Sequence, residues 1–153
     1  MRRSVTITGS RTTAHRDAAA YAELFAGYLG PFAEAPGGAH FYLGGGNGID
    51  SLALVWLAEH TRARLTVVTP AVLERQPRAA RQAVARAKER IDEIVELGAD
   101  PLDAAAYEAR NRWMVDRSSL VIGFPVGESS GSGTWQALHY AAHEGRARLI
   151  VPI

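Results

Sequence analysis

Three glycine-rich segments contain the residues of this sequence that are best suited to bind a ligand. They are loop one (residues 8–13, TGSRTT), loop two (residues 44–50, GGGNGID) and loop three (residues 129–134, SSGSGT). Each segment follows an apolar run and precedes a helical pattern. Glycine allows the backbone to approach a ligand closely, and the free N–H groups of a first helical turn attract anions. We therefore predict that the three loops bind a phosphate group and its sugar.

Two charged residues complete the predicted site. Asp50 lies in the first turn of a predicted helix, where its carboxylate is either simply favoured by the helix dipole or has one of two functional roles, meeting ribose hydroxyls or fixing the loop. Arg110 lies on the predicted helix before the predicted strand at residues 120–124, either as an exposed polar residue or as a bidentate phosphate ligand. The candidate phosphate-binding residues are Gly9, Ser10, Arg11, Gly44, Gly45, Gly46, Asn47, Gly48, Asp50, Arg110, Gly131, Ser132, Gly133 and Thr134.

Two common nucleotide-binding motifs are absent from the sequence. The dinucleotide fingerprint G-x-G-x-x-G requires a third glycine where loop two has Ile49. The P-loop requires Gly-Lys followed by Ser or Thr, but the single lysine, Lys88, lies inside a predicted helix. The chain is therefore predicted to be neither a standard NAD-binding domain nor a P-loop ATPase.

Short apolar strands alternate with longer helical stretches along the chain. Strands are predicted at residues 5–8, 41–43, 65–68, 120–124 and 149–153. Helices are predicted from residue 12 or 13 to 29, and at 49–60, 77–97, 103–117 and 134–144. Strands that are apolar throughout are typical of a parallel sheet covered on both faces. We predict one doubly wound, Rossmann-like α/β domain over residues 1–153, with its ligand beyond the carboxyl ends of the strands.

The composition excludes several classes of function. The chain has 153 residues and no cysteine, which excludes disulfides, a thiol nucleophile and cysteine-ligated metals. Its 17 basic and 16 acidic residues give a net charge of +1, which does not indicate binding of duplex nucleic acid through bulk charge. Because no apolar run approaches about 18 residues, we expect a cytoplasmic protein without a membrane partner. We predict no cofactor and no metal.

The loops resemble the SLOG superfamily, which joins the LOG phosphoribohydrolases and the DNA-processing protein DprA/Smf. The segment from Val5 to Arg11 resembles the first strand and loop of both groups, and loop two with Ala53 resembles the DprA pattern Gly-Ile-Asp-x-x-Ala. The Arg-Asn-Arg sequence at Arg110 is similar to that of DprA. Loop three resembles the LOG signature Pro-Gly-Gly-x-Gly-Thr. The resemblance implies a Rossmann-like fold and a homodimer, with Trp113 and Met114 as candidate interface residues.

The departures from the LOG pattern decide the order of the functional hypotheses. The two LOG glutamates that follow Gly-Thr correspond to Gln136 and Ala137, so the weak catalytic candidates are Glu128 and Asp50. The leading hypothesis is a stand-alone domain that binds a nucleotide or a nucleotide-derived phosphate ligand, as a sensor. One alternative is a nucleoside 5′-monophosphate phosphoribohydrolase, a LOG-like N-glycosidase. A second alternative is a protein that binds single-stranded DNA in the manner of DprA.

Overall fold

Six parallel strands form the single sheet at the centre of the protein. The computed structural model describes residues 2–129 and 131–153. The strands are β1 (Arg3–Gly9), β2 (Ala39–Leu43), β3 (Arg64–Thr69), β4 (Glu93–Glu96), β5 (Leu120–Phe124) and β6 (Ala147–Ile150). Their order in the sheet is β4-β3-β2-β1-β5-β6, and every neighbouring pair is parallel. The chain therefore has the doubly wound, Rossmann-like architecture that its sequence predicts.

Helices connect the strands and cover the sheet. They are α1 (Ala18–Tyr28), α2 (Gly30–Glu34), α3 (Ile49–His60), α4 (Arg78–Ala87), α5 (Ala104–Asp116) and α6 (Gly133–His143). After β1, the chain adds β2, β3 and β4 along one edge of β1. It then returns to add β5 and β6 along the opposite edge of β1. The direction of winding therefore reverses between β1 and β5. Such a reversal opens a crevice beyond the carboxyl ends of the two strands, where doubly wound proteins bind ligands.

The central strands contribute large apolar side chains to the hydrophobic core. Ile7, Phe41, Leu65 and Ile122 come from four neighbouring strands and are fully buried. Phe25 of α1 contacts Phe124 edge to face, with 5.7 Å between the ring centroids. Burying an apolar side chain of this size stabilises the fold by about 1.5–3 kcal/mol. The core therefore fixes the strand ends from which the three loops emerge.

The predicted helix over residues 77–97 is wrong in its second half. Helix α4 ends at Ala87, a 3₁₀ turn covers Lys88–Arg90, and β4 follows. The spacing of Ile91, Ile94 and Val95 fits a helix, but Ile94 and Val95 instead pair with β3. A short strand at the open edge of a sheet cannot be recognised from periodicity, because its pairing partner is distant in the sequence. The sheet therefore gains a sixth strand bounded by two glutamates, which suits an exposed edge.

Two other predicted boundaries also differ from the structure. Helix α1 begins at Ala18 and not after Thr12 or Thr13, because Asp17 caps it by accepting a hydrogen bond from the Ala20 amide at 2.8 Å. The last strand is Ala147–Ile150 rather than residues 149–153. The cap of α5 is confirmed, since the Asp103 carboxylate accepts the Ala106 amide at 3.0 Å.

Candidate functional site

The three glycine-rich loops meet at the carboxyl edge of the sheet, at the crevice between β1 and β5. Loop one follows β1 and lies between the other two. The Ser10 amide donates to the carbonyl oxygen of Phe124 at 3.0 Å, which ties loop one to the end of β5. The Ile49 amide donates to the carbonyl oxygen of Ser10 at 3.0 Å, which ties loop two to loop one. Parallel strand order alone brings the loops together, and these two hydrogen bonds fix their spacing.

A cavity of about 460 Å³ lies among the loops, within the usual size range for small-molecule sites. Most predicted site residues line it: Gly9, Ser10, Arg11, Gly44, Gly46, Asn47, Asp50, Arg110, Ser132, Gly133 and Thr134. Gly45, Gly48, Gly131 and the catalytic candidate Glu128 are not among the lining residues. The cavity wall also includes residues that are not among the candidate phosphate-binding residues: Ile7, Thr8, Gln76, Pro77, Tyr107, Asn111, Met114, Pro125 and Val126.

Glycine at position 48 has a structural role. Its φ is 72°, and a Cβ built there would lie 2.3 Å from the carbonyl oxygen of Ser10. A side chain at this position would be strained and would also separate loop one from loop two. The glycine therefore shapes the cavity without lining it.

The Asp50 carboxylate accepts hydrogen bonds from loop-two amides that were predicted to bind an anion. Its carboxylate accepts a hydrogen bond from the Gly46 amide at 3.1 Å, and Gly44 makes a second backbone contact to it. The hydroxyl of Ser51 donates to the Gly46 carbonyl at 2.7 Å. Burial raises the pKa of Asp50, while Arg110, the two backbone contacts and Arg11 partly offset that rise. Asp50 therefore fixes loop two, one of the two roles its position suggests.

Arg110 is buried rather than exposed. Its guanidinium donates to the carbonyl oxygens of Gly44 and Val68, and its Nε donates to Oδ1 of Asn111 at 2.9 Å. Burial lowers the pKa of Arg110, and the charge of Asp50 partly offsets that effect. A Cβ at Gly44 would lie 2.6 Å from Arg110 Nη1 and 3.0 Å from Asp50 Oδ2, so Gly44 separates the two charged groups.

Helix α6 begins at the opposite wall of the cavity from loop two. Ser132 caps the helix by accepting a hydrogen bond from the Trp135 amide at 3.3 Å. Gly133 and Thr134, the first two helical residues, line the cavity. Asn111 donates from Nδ2 to the Gly133 carbonyl at 3.4 Å and so joins α5 to this helix end. The positive end of the α6 dipole is therefore directed at the cavity.

Tyr107 and Gln76 line the cavity with an aromatic ring and a side-chain amide, and neither is among the predicted site residues. The Tyr107 ring lies beneath two guanidinium groups, with 5.1 Å to Arg11 Cζ and 5.6 Å to Arg110 Cζ. Its spacing of three residues from Arg110 on α5 was a usable signal, since such residues share a helix face. Gln76 follows β3, whose carboxyl end belongs to the same sheet edge, and it donates from Nε2 to the Gly45 carbonyl at 2.7 Å.

Met114 does not reach a subunit interface. It is 1% exposed and lines the cavity, so the expectation that it contacts a partner is wrong. Trp113 is partly buried, with its ring 6.0 Å from that of Tyr42 and 3.7 Å from Arg117 Cζ. The homodimer itself stays a prediction, which light scattering can test.

Residues 2–129 and 131–153 contain neither a candidate metal cluster nor a membrane-spanning helix. Within these ranges no cluster of three histidine, aspartate or glutamate side chains is arranged to hold a metal ion. No helix among the same residues has the length and apolar character needed to cross a membrane.

The fold is similar to that of solved DNA-processing proteins. No protein-family model and no curated protein matches the sequence. DNA processing protein A from Helicobacter pylori, solved in work on its single-stranded DNA binding mode, matches with a TM-score of 0.70 and 20% identity over 99% of this chain. DprA from Streptococcus pneumoniae matches with a TM-score of 0.74 and 21% identity, also over 99%. This chain spans 66% of the first protein and 51% of the second. The chain therefore has the Rossmann-like fold found in these two DNA-processing proteins.

Proposed function

We propose that the cavity binds a nucleotide or a nucleotide-derived ligand through its phosphate group. The observation that supports this most strongly is the start of α6 at the cavity wall. The first amides of a helix have no acceptor within that helix and carry the positive end of its dipole. Gly133 leaves the backbone open to close approach, and Ser132 and Thr134 supply hydroxyl groups at the same end.

The disposition of charge favours this end of the cavity for the phosphate. The carboxylate of Asp50 already accepts the Gly46 amide, so an anion placed against loop two would meet a negative charge. Arg11 is exposed, lines the cavity and stacks on Tyr107. A phosphate at the α6 terminus lies away from Asp50 and shares the cavity with the Arg11 cation, whereas Arg110 is already committed to backbone carbonyls.

Calorimetric titration with AMP, ADP-ribose and cyclic nucleotides tests the proposal. We expect saturable binding of at least one phosphate-bearing ligand and no binding of the corresponding nucleoside. Arg11→Gln should weaken the affinity by about tenfold to a hundredfold, since a charge-assisted hydrogen bond contributes about 1.5–3 kcal/mol. Arg62→Gln is the matched control, because Arg62 follows the end of α3 and does not line the cavity. No binding by folded protein, or equal effects of the two substitutions, contradicts the proposal.

A second candidate function is hydrolysis of the N-glycosidic bond of a nucleoside monophosphate. That reaction passes through a cation-like sugar and requires a nearby carboxylate. Of the residues lining the cavity in the described part of the chain, Asp50 alone has a carboxylate. Incubation with AMP followed by chromatography for free adenine tests this function. Adenine release that Asp50→Asn abolishes supports it, while release unaffected by that change, or no release at high enzyme concentration, excludes it.

A third candidate is binding of single-stranded DNA, which the structure from Helicobacter pylori was solved to explain. Arg75 and Arg78 are exposed and flank Gln76 and Pro77, which line the cavity. Two exposed cations therefore adjoin the cavity wall. Gel-shift titration across a range of salt concentrations tests the function, because each phosphate contact steepens the salt dependence. Arg78→Gln should reduce the slope by about one unit, whereas Arg62→Gln, at an exposed position after α3 that does not line the cavity, serves as the control.

A further inference from the structure

Tyr107 gives the cavity an aromatic surface. Among the lining residues in the described part of the chain, it alone has an aromatic ring. The residue is half-buried, so part of its side chain stays accessible from the cavity. The flat face of such a ring holds a nucleobase by stacking, because every base has an aromatic face of its own. Tyr107 is therefore the lining residue best suited to contact a base.

The two guanidinium groups over Tyr107 differ in how firmly they are held. Arg110 is buried and donates to the carbonyl oxygens of Gly44 and Val68, which keeps it at the ring. Arg11 is exposed, and its Cζ lies 5.1 Å from the ring centroid. An exposed cation–π contact is weaker than the stacking of a base on an aromatic ring. A nucleobase can therefore displace Arg11 from Tyr107 while Arg110 stays in place.

The course of α5 places Tyr107 near the proposed phosphate position. The helix returns from the carboxyl edge of the sheet, where β4 ends, to the opposite edge, where β5 begins. Asn111 lies on this helix and donates from Nδ2 to the Gly133 carbonyl at 3.4 Å. Tyr107 precedes Asn111 by about one turn, a rise of about 6 Å, and residues at this spacing share a helix face. The ring therefore lies outward from the start of α6, at a spacing comparable to the sugar that separates the phosphate of a nucleotide from its base.

We infer that Tyr107 is the residue on which the base of the bound nucleotide stacks, in place of the Arg11 guanidinium. This inference rests on the proposed phosphate site at α6. Arg11 lines the same cavity, and once displaced from the ring it is available to pair with the phosphate. The site then selects ligands that carry an aromatic base over sugar phosphates that have none.

The experiment compares ligands with and without a base. Calorimetry measures binding of AMP and of ribose 5-phosphate, which has the sugar and the phosphate but no base. We expect the wild-type protein to bind AMP about tenfold or more tightly than ribose 5-phosphate, since stacking on an aromatic ring strengthens binding by at least about that factor. Tyr107→Ala should reduce this ratio to near one through a loss of AMP affinity. Tyr107→Phe keeps the ring, so its ratio should stay within about twofold of the wild-type value.

Tyr28→Ala is the matched control, because Tyr28 is an exposed tyrosine at the end of α1 that does not line the cavity. It should retain the wild-type preference for AMP. Thermal unfolding checks that each variant is folded. Tyr107→Leu, which fills more of the same space without an aromatic face, repeats the test if Tyr107→Ala does not fold.

Three results overturn the inference and leave the phosphate site standing. The first is equal affinity of the wild-type protein for AMP and ribose 5-phosphate. The second is an equal loss of affinity for both ligands in Tyr107→Ala, since the residue then acts on the phosphate through Arg11. The third is loss of the preference in Tyr107→Phe, because the hydroxyl group and not the ring then holds the base. If folded wild-type protein binds neither ligand, the inference fails, and the proposed function fails with it when ADP-ribose and cyclic nucleotides do not bind either.

Discussion

The carboxylate of Asp50 accepts a hydrogen bond from the backbone amide of Gly46 at 3.1 Å, four residues earlier in the chain. A side chain from the first turn of α3 thus occupies the position that an anionic ligand would take in loop two. The arrangement makes loop two a preformed wall, while the end of the cavity at α6 stays available to a ligand.

Replacing Asp50 should separate its structural role from its charge. Asp50→Ala removes the acceptor of the Gly46 amide and the negative charge that stabilises the buried Arg110 cation. We expect a loss of about 3 kcal/mol in the free energy of unfolding, measured by urea denaturation. Asp50→Asn keeps one acceptor oxygen and should lose less. An alanine variant as stable as the wild type would show that the carboxylate does not hold loop two.

Gly44 should not tolerate a side chain. A Cβ at this position would lie 2.6 Å from Arg110 Nη1 and 2.8 Å from Arg110 Cζ, so Gly44→Ala must displace a buried guanidinium from its carbonyl acceptors. We expect a decrease in stability of about 1–3 kcal/mol, measured by thermal unfolding.

Gly27→Ala is the control for that substitution. Gly27 lies within α1, and a Cβ there would meet no atom within 4 Å. Replacing a helical glycine with alanine should raise stability by up to about 1 kcal/mol. Opposite signs for the two variants are expected, and a Gly44→Ala protein of unchanged stability would contradict the close approach of Arg110.

The cap of α6 should affect both stability and ligand binding. Ser132→Ala removes the acceptor of the Trp135 amide and should lower stability by about 1 kcal/mol. Because Ser132 lines the cavity, nucleotide affinity should fall several-fold in the same variant. Asp103→Ala removes the matching cap of α5. Because Asp103 does not line the cavity, this change should lower stability without changing affinity. Equal losses of affinity in the two variants would assign the effect to general destabilisation.

Stability should fall as the solution becomes acidic because of His40 on β2. Burial and the charges of Arg64 and Arg2 lower the pKa of His40, while Asp92 and Glu93 partly offset them. The imidazole Nε2 lies 2.7 Å from Thr66 Oγ1. The unfolded chain therefore binds a proton more readily than the folded protein, so stability is lost as the pH falls below about 6.5 toward the lowered folded-state pKa.

Thermal unfolding between about pH 7.5 and pH 5.5 measures this dependence, and His40→Gln should flatten it. His143→Gln, at an exposed position on α6, controls for the loss of an imidazole elsewhere. A wild-type midpoint that rises on acidification over this range, or an unchanged slope in His40→Gln, would contradict the assignment to His40.

The sequence alone was sufficient to predict the architecture and the position of the cavity. Apolar strands such as Leu120–Phe124 must be buried on both faces, which requires a parallel sheet with helices on either side. The carboxyl ends of parallel strands lie at one edge, so glycine-rich loops that follow β1, β2 and β5 have to meet there. These conclusions depend on residue type and local periodicity, which a single chain displays directly.

Only the tertiary structure decided which groups face a ligand and which face the protein itself. Asp50 and Arg110 are 60 residues apart in the chain, and nothing in their local sequence shows that Gly44 separates them or that both are used to hold loop two. Local periodicity predicts a helix at the residues of β4, because the pairing of β4 with β3 depends on contacts between residues that are distant in the sequence. Gln76 has an unpartnered oxygen only because the chain folds back to place Gly45 beside its amide. Hydrogen-bond satisfaction is a property of the assembled protein, since it depends on partners that the sequence keeps far apart.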